Sequence, residues 1–170
     1  MTVTSVPYPL SPQEDASLRS RSNVMGAYLV AHAWALIFGS IALVALWPNP
    51  LTFLIAVVVI GNRQLGLAIL MHEASHRLLF ASTKTNDRVG AWLCGAPVGA
   101  SLQQYRPYHL SHHRHTQQPE DPDLPLSAVF PITRTSLRRK LVRDLLGITG
   151  YQRRREQFER AMGESKAFTA

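Results

Sequence analysis

The sequence predicts an all-α fold: an integral-membrane helical hairpin with cytoplasmic and interfacial helices that carry histidines. Three observations predict it. The 41 residues from Ser22 to Asn62 contain no Asp, Glu, Lys or Arg. Of the 18 basic residues, 16 fall at Arg63 or later. Six of the seven histidines gather in two short runs, HEASH and HLSHHRH. An uncharged stretch of that length finds its home in lipid, and a basic remainder matches the excess of Lys and Arg on the cytoplasmic side of membrane proteins.

Each element follows in order. Residues 1–22 form a polar tail whose first ten residues read as loose, after which Ser11-Pro12-Gln13-Glu14 has the form of a capping box opening a short helix. The tail lacks the basic start, apolar core and cleavage site of a removable signal peptide. Residues 23–80 form a transmembrane hairpin. Its first helix runs from Ala27 to Trp47, about 31 Å long at 1.5 Å per residue. The prolines of Trp47-Pro48-Asn49-Pro50 stop it, with Trp47 at the interface. The return helix runs from Leu51 to Met71, and Asn62-Arg63-Gln64 interrupts its apolar face, so Arg63 snorkels or the helix projects beyond the lipid. Arg19, Arg21, Arg63 and Arg77 lie on one side of an uncharged turn, which predicts that this side is cytoplasmic. Residues 81–118 hold a Gly- and Pro-interrupted apolar stretch, 88–103, that reads as re-entrant or interfacial rather than spanning. Residues 119–170 begin with a Pro-rich loop. There follows a basic amphipathic helix, with Leu137, Leu141, Val142, Leu145 and Leu146 at helical spacing beside Arg138, Arg139, Lys140 and Arg143. Such a helix lies on a membrane surface or packs a charged face elsewhere.

Composition narrows the function classes. The pI near 10.2 arises from clustered Lys and Arg, yet no nucleic-acid recognition motif accompanies the charge, so nucleic acid is not the expected partner. The single Cys94 forms no internal disulfide and reads as a small buried residue.

The histidine runs carry the chemistry. On a helix, positions i and i+4 share a face, so His72 and His76 converge, as do His109 and His113. The adjacent His112 and His113 diverge by about 100° and suit two ions better than one, which suggests a dinuclear centre. Imidazole suits iron, zinc, copper or nickel, so ligand type leaves the metal open. Taken singly, each histidine is as easily a satisfied polar residue, and His32 and His115 are read that way. HEASH is also a literal HExxH, in which Glu73 would be the base of a zinc protease. Leu79 and Ser82, however, stand where the metzincin extension needs Gly and His. A non-catalytic membrane metal-binding hairpin is a further alternative.

HEASHRLLF, YRPYHLSHHRHT and PEDPDL resemble the first two histidine boxes of the integral-membrane fatty acid desaturases, with GNRQLGLAILM and RRKLVRDLLGITG similar to the segments flanking them. The likeness covers roughly residues 24–160. It implies that His72 and His76, then His109, His112 and His113, hold two iron ions, with dioxygen as co-substrate and an external electron donor. That donor would be a ferredoxin, cytochrome or reductase. It implies a fatty acyl substrate in membrane lipid, an oxidoreductase introducing a double bond, and boxes on the cytoplasmic side of a membrane, the inner one in a bacterium. Glu73, Asp121 and Asp123 are then candidate acceptors for imidazole N–H groups around the metal. Related hydroxylases and ketolases use similar boxes. No third HxxHH follows Tyr151, and five histidines leave two irons incompletely liganded, so the expectation is a partial desaturase-type fold: the amino-terminal part, with activity of this chain alone in question. Oligomeric state, acyl chain and double-bond position are not legible.

Overall fold

The structure, a computed structural model, describes residues 11–18 and 20–161. The loose tail expected over residues 1–10, the predicted cytoplasmic Arg19 and the residues after Ala161 lie outside the described residues. Among the described residues every regular element is helical. Two units are described separately, residues 1–110 and 111–170.

The first unit opens with α1 (Pro12–Leu18), closed by the expected capping box: the Ser11 backbone N–H donates to Glu14 Oε2 at 2.8 Å, and the Glu14 N–H donates to Ser11 Oγ at 3.3 Å. Next come α2 (Asn23–Leu46) and α3 (Pro50–Ser75), each long and apolar enough to cross a membrane. The prolines do not both act as breakers. Pro50 is the first residue of α3, where its missing N–H is no loss. Asn49 caps that helix, its Oδ1 accepting from Leu51 N and Thr52 N at 3.0 and 3.1 Å.

The buried residues of α2 are Gly26, Val30, Ala33, Ile37 and Ser40, an alternating spacing of four and three that makes a narrow seam against α3. From α3 the seam takes Ala56, Leu67, Met71 and Ala74. Other large apolar residues, Phe38, Leu51 and Phe53 among them, face outward, as lipid-facing residues do. Helix α3 passes through Asn62-Arg63-Gln64 without a break and reaches four residues beyond Met71, so the first histidine run sits on its last turn rather than on a loop.

After α3 come α4 (Thr83–Val89), a π-helical turn (Gly90–Gly95) and a 3₁₀ turn (Ala96–Val98), all too short to span a bilayer. Gly90 is required there. A Cβ at that position would lie 2.3 Å from the Ala74 Cβ, so only glycine lets this turn lie against α3. Cys94 is fully buried beside Met71 and Leu102, as expected of it. Trp34 of α2 donates from Nε1 to the Leu93 carbonyl at 3.0 Å. Helix α5 (Leu102–His115) then carries the second histidine run, with Pro107 inside it.

In the second unit, turns after Thr116 lead into α6 (Leu124–Ser127). Thr133 caps α7 (Arg134–Leu145), accepting from Ser136 N at 3.2 Å. Gly147, at φ 72°, turns the chain into α8 (Ile148–Ala161). The expected basic amphipathic helix is α7, with Leu146 at its C-cap, and α8 follows it; Leu137, Leu141 and Leu145 on α7 and Tyr151 on α8 are exposed.

Candidate metal centre

The centre is built by the end of α3 and the middle of α5. Helix α3 closes at His76, its C-cap, with Arg77 in the left-handed region at φ 61°. The Arg77 N–H donates to Ala74 O at 3.0 Å and the Leu78 N–H to Glu73 O at 2.9 Å, the paired bonds of a Schellman stop. Arginine replaces the usual glycine there, and Arg21 Nη1 donates to the Arg77 carbonyl at 3.0 Å.

One turn apart on α3, His72 and His76 have ring centroids 4.9 Å apart. His109, buried on α5, meets both, with centroids 4.4 Å from His72 and 4.9 Å from His76. Each of the three offers a ring nitrogen within 4.8 Å of the others. His76 Nε2 and His109 Nε2 face one another at 2.9 Å. Two bonds of about 2.1 Å at right angles from one cation would set a pair of imidazole nitrogens about 3.0 Å apart. The facing nitrogens match that spacing, so the residues present fit a metal ion of the type imidazole binds. His113 follows His109 by one turn of α5 and so lies on the same helical face.

The ring orientations have identifiable causes. Tyr105, one turn before His109, stacks on it with centroids 5.0 Å apart and planes 11° from parallel. His72 Nδ1 lies 3.1 Å from Glu73 Oε1. An ionised carboxylate only accepts, so this contact assigns the proton to Nδ1 and leaves Nε2 as the donor atom. In the second unit His112 Nδ1 is held the same way, 2.8 Å from Asp121 Oδ1. Asp121 is itself buried and accepts from the Gln117 and Asp123 N–H groups at 2.9 and 2.8 Å. Asp123 Oδ2 is 3.7 Å from the same ring, an ionic contact rather than a hydrogen bond.

The hydrogen bond to Asp121 holds His112 above its ordinary value of 6.5. Burial pushes Asp121 up, but the bonds from His112, Gln117 and Asp123 leave it below 3.8. His32, read from sequence as structural, is exposed on α2 and stacks on Tyr28 with centroids 5.8 Å apart.

Sequence reasoning missed Tyr105, Asn86, Asp87 and Arg106. Tyr105 and Arg106 stand four and three residues before His109, a helical spacing that was available as a signal. Nothing local pointed to Asn86 or Asp87.

Two long apolar helices lead into a cluster of imidazoles that could hold a metal ion, and comparison with known proteins gives the class of the chain. The sequence profile of the family described as "Fatty acid desaturase" matches residues 45–167, well over half of the chain. The chain belongs to the fatty acid desaturase family. It is 36% identical over 107 residues to a dihydrorhizobitoxine desaturase of Bradyrhizobium elkanii, a match covering 60% of this chain and 29% of the relative. The chain thus spans less than a third of that relative's length. No solved structure matches it.

Proposed function

We propose that this chain carries the first two ligand-bearing segments of a membrane di-iron desaturase acting on fatty acyl chains. The observation that carries the reading is the meeting of His72 and His76 with His109, which stands 33 residues after His76, at the end of a hairpin long enough to span a bilayer. His72, His76, His109, His112 and His113 would hold iron through ring nitrogens, with Glu73 and Asp121 fixing the tautomers of His72 and His112. Iron supplies the reduction of dioxygen needed to oxidise an unactivated C–H bond. The net reaction joins one –CH2–CH2– unit, O2, two electrons and two protons to give –CH=CH– and two waters. The electrons come from a ferredoxin, cytochrome or reductase. The protein's part is to hold the ligand rings in one geometry, present one methylene and keep bulk water out.

The uncharged turn at Pro48–Asn49, opposite Arg21, Arg63 and Arg77, supports placing the histidines on the cytoplasmic side, in a bacterium at the inner membrane. There the basic faces of α7 and α8 would meet anionic lipid or an acidic electron donor.

The test is anaerobic ferrous loading of the chain in lipid nanodiscs, followed by elemental analysis. Iron should be retained, and His76→Ala and His109→Ala should each abolish retention. Zinc bound in place of iron, together with peptide cleavage lost in Glu73→Gln and kept in His109→Ala, would overturn the reading in favour of a protease. Where acyl oxidation is measured, a new double bond supports desaturation and an inserted oxygen refutes it in favour of hydroxylation.

A further inference from the structure

The end of α3 is held by a side-chain brace. A helix C-terminus leaves its last carbonyls without partners. Here the Schellman bonds satisfy some of them, and side chains of α5 and α4 reach the Ala74 and Ser75 carbonyls as well. Arg106 donates from Nε to Ser75 O at 3.0 Å and from an Nη to Ala74 O at 2.9 Å. Asn86, fully buried, donates from Nδ2 to the same Ala74 carbonyl at 2.9 Å, and its Oδ1 accepts from Leu79 N and Phe80 N at 3.1 and 3.3 Å. Asp87 grips the other edge of the guanidinium, with Oδ2 3.2 Å from Nη1 and Oδ1 in close contact with Nη2.

The geometry points to Arg106, backed by Asp87 and Asn86, as a positioning residue that sets how closely His76 approaches His109. His76 is the residue next to Ser75 on α3, and His109 lies one turn after Arg106 on α5. A planar fork anchored on both helices therefore fixes the separation of the two facing nitrogens. It also brings a positive charge to the negative end of α3. The neighbours leave the end of α3 little room to slide. Gly90 lies against Ala74, and a Cβ on Gly26 would come within 2.2 Å of the Leu79 carbonyl. Lysine could keep the charge but not the fork, because its ammonium is a point donor on a flexible stem.

The inference rests on the metal-centre reading, and the experiment separates the two. Cobalt(II) is titrated into the full chain in nanodiscs and followed by its visible ligand-field spectrum, for wild type, Arg106→Gln, Arg106→Lys, Asp87→Asn and His76→Ala. Arg106→Gln should weaken cobalt binding by about tenfold, the low end of what a hydrogen-bonded partner of a ligand contributes, and shift the spectrum, because His76 is no longer held at its distance from His109. Arg106→Lys should recover part of the affinity. A brace with a merely structural role would lower the thermal midpoint and leave the affinity and spectrum of the folded chain unchanged. That result, in a variant with wild-type helicity, overturns the proposal while His76→Ala still abolishes binding. If Arg106→Gln fails to fold, Asp87→Asn decides: it keeps Arg106 but removes the charged grip that holds the guanidinium on the two carbonyls, so unchanged affinity and spectrum overturn the proposal equally. Wild type that takes up no cobalt, or takes it up undiminished in His76→Ala, removes the metal-centre reading and the proposal with it.

Discussion

The Ala74 carbonyl accepts from the Arg77 backbone, the Asn86 amide and the Arg106 guanidinium, at 3.0, 2.9 and 2.9 Å. Asp87 keeps one of those donors in place, and the Arg106 hydrogen bond holds its carboxyl below the ordinary 3.8 against a smaller upward push from burial. A carboxyl lowered by folding adds stability above its unfolded value and loses that contribution as pH falls through the lowered folded value. Asp87→Asn should therefore unfold at a lower temperature than wild type near neutral pH, and the gap should close as pH is taken well below 3.8. Circular dichroism melts of the metal-free chain across that range measure it, and a gap independent of pH would show that the pair is not ionised. At this scale the sequence pointed to Glu73, Asp121 and Asp123 as candidate partners of imidazole, because acids beside histidine runs are visible locally; the first two stand at hydrogen-bond distance and Asp123 at 3.7 Å. Arg106 with Asp87 was not visible, since 19 residues separate the two and neither is unusual in its own segment.

At the scale of elements, the hairpin rests on a seam only a few residues wide. Leu67 is 1% exposed, packed between Ala33, Ile37 and Val98. Leu67→Ala removes a side chain that lipid cannot reach to replace, and should cost about 2–5 kcal/mol. Leu65→Ala, on the outward face at 62% exposure, should cost far less. Unfolding in mixed micelles distinguishes the two, and equal costs would mean that the α2–α3 seam is wrongly placed. The two long apolar helices were legible because apolar runs of that length have few alternatives. The continuation of α3 to Ser75 was less so: Asn62-Arg63-Gln64 interrupts the apolar pattern, while the backbone ladder simply continues. Pro50 had an ambiguous local meaning, since the same ring that ends one helix opens the next.

For the whole molecule, the prediction concerns orientation. Cys94 is fully buried and burial pushes its thiol up to about 12, so it stays silent to maleimide at neutral pH and introduced cysteines report alone. A membrane-impermeant maleimide added to intact bacterial spheroplasts should label Pro48→Cys and leave Thr83→Cys unlabelled until the membrane is opened. The reverse pattern would place the histidines on the outer side. Dissociation of the chain from membranes in alkaline carbonate would deny that α2 and α3 span at all.

The sequence by itself determined the helical class, the hairpin, the two histidine runs and the family they resemble, because each is written in local spacing: apolar length, i and i+4 imidazoles, acids beside histidines. Only the tertiary structure decided that His109 reaches the His72–His76 pair, that Tyr105 stacks on it, and that Arg106 and Asn86 close the end of α3. Apart from the Tyr105 stack, which lies within α5, those contacts join segments from 12 to 37 residues apart in the chain. They depend on where α3 stops and how near Gly90 lets its neighbour come, quantities set by packing in three dimensions rather than by any one segment's pattern.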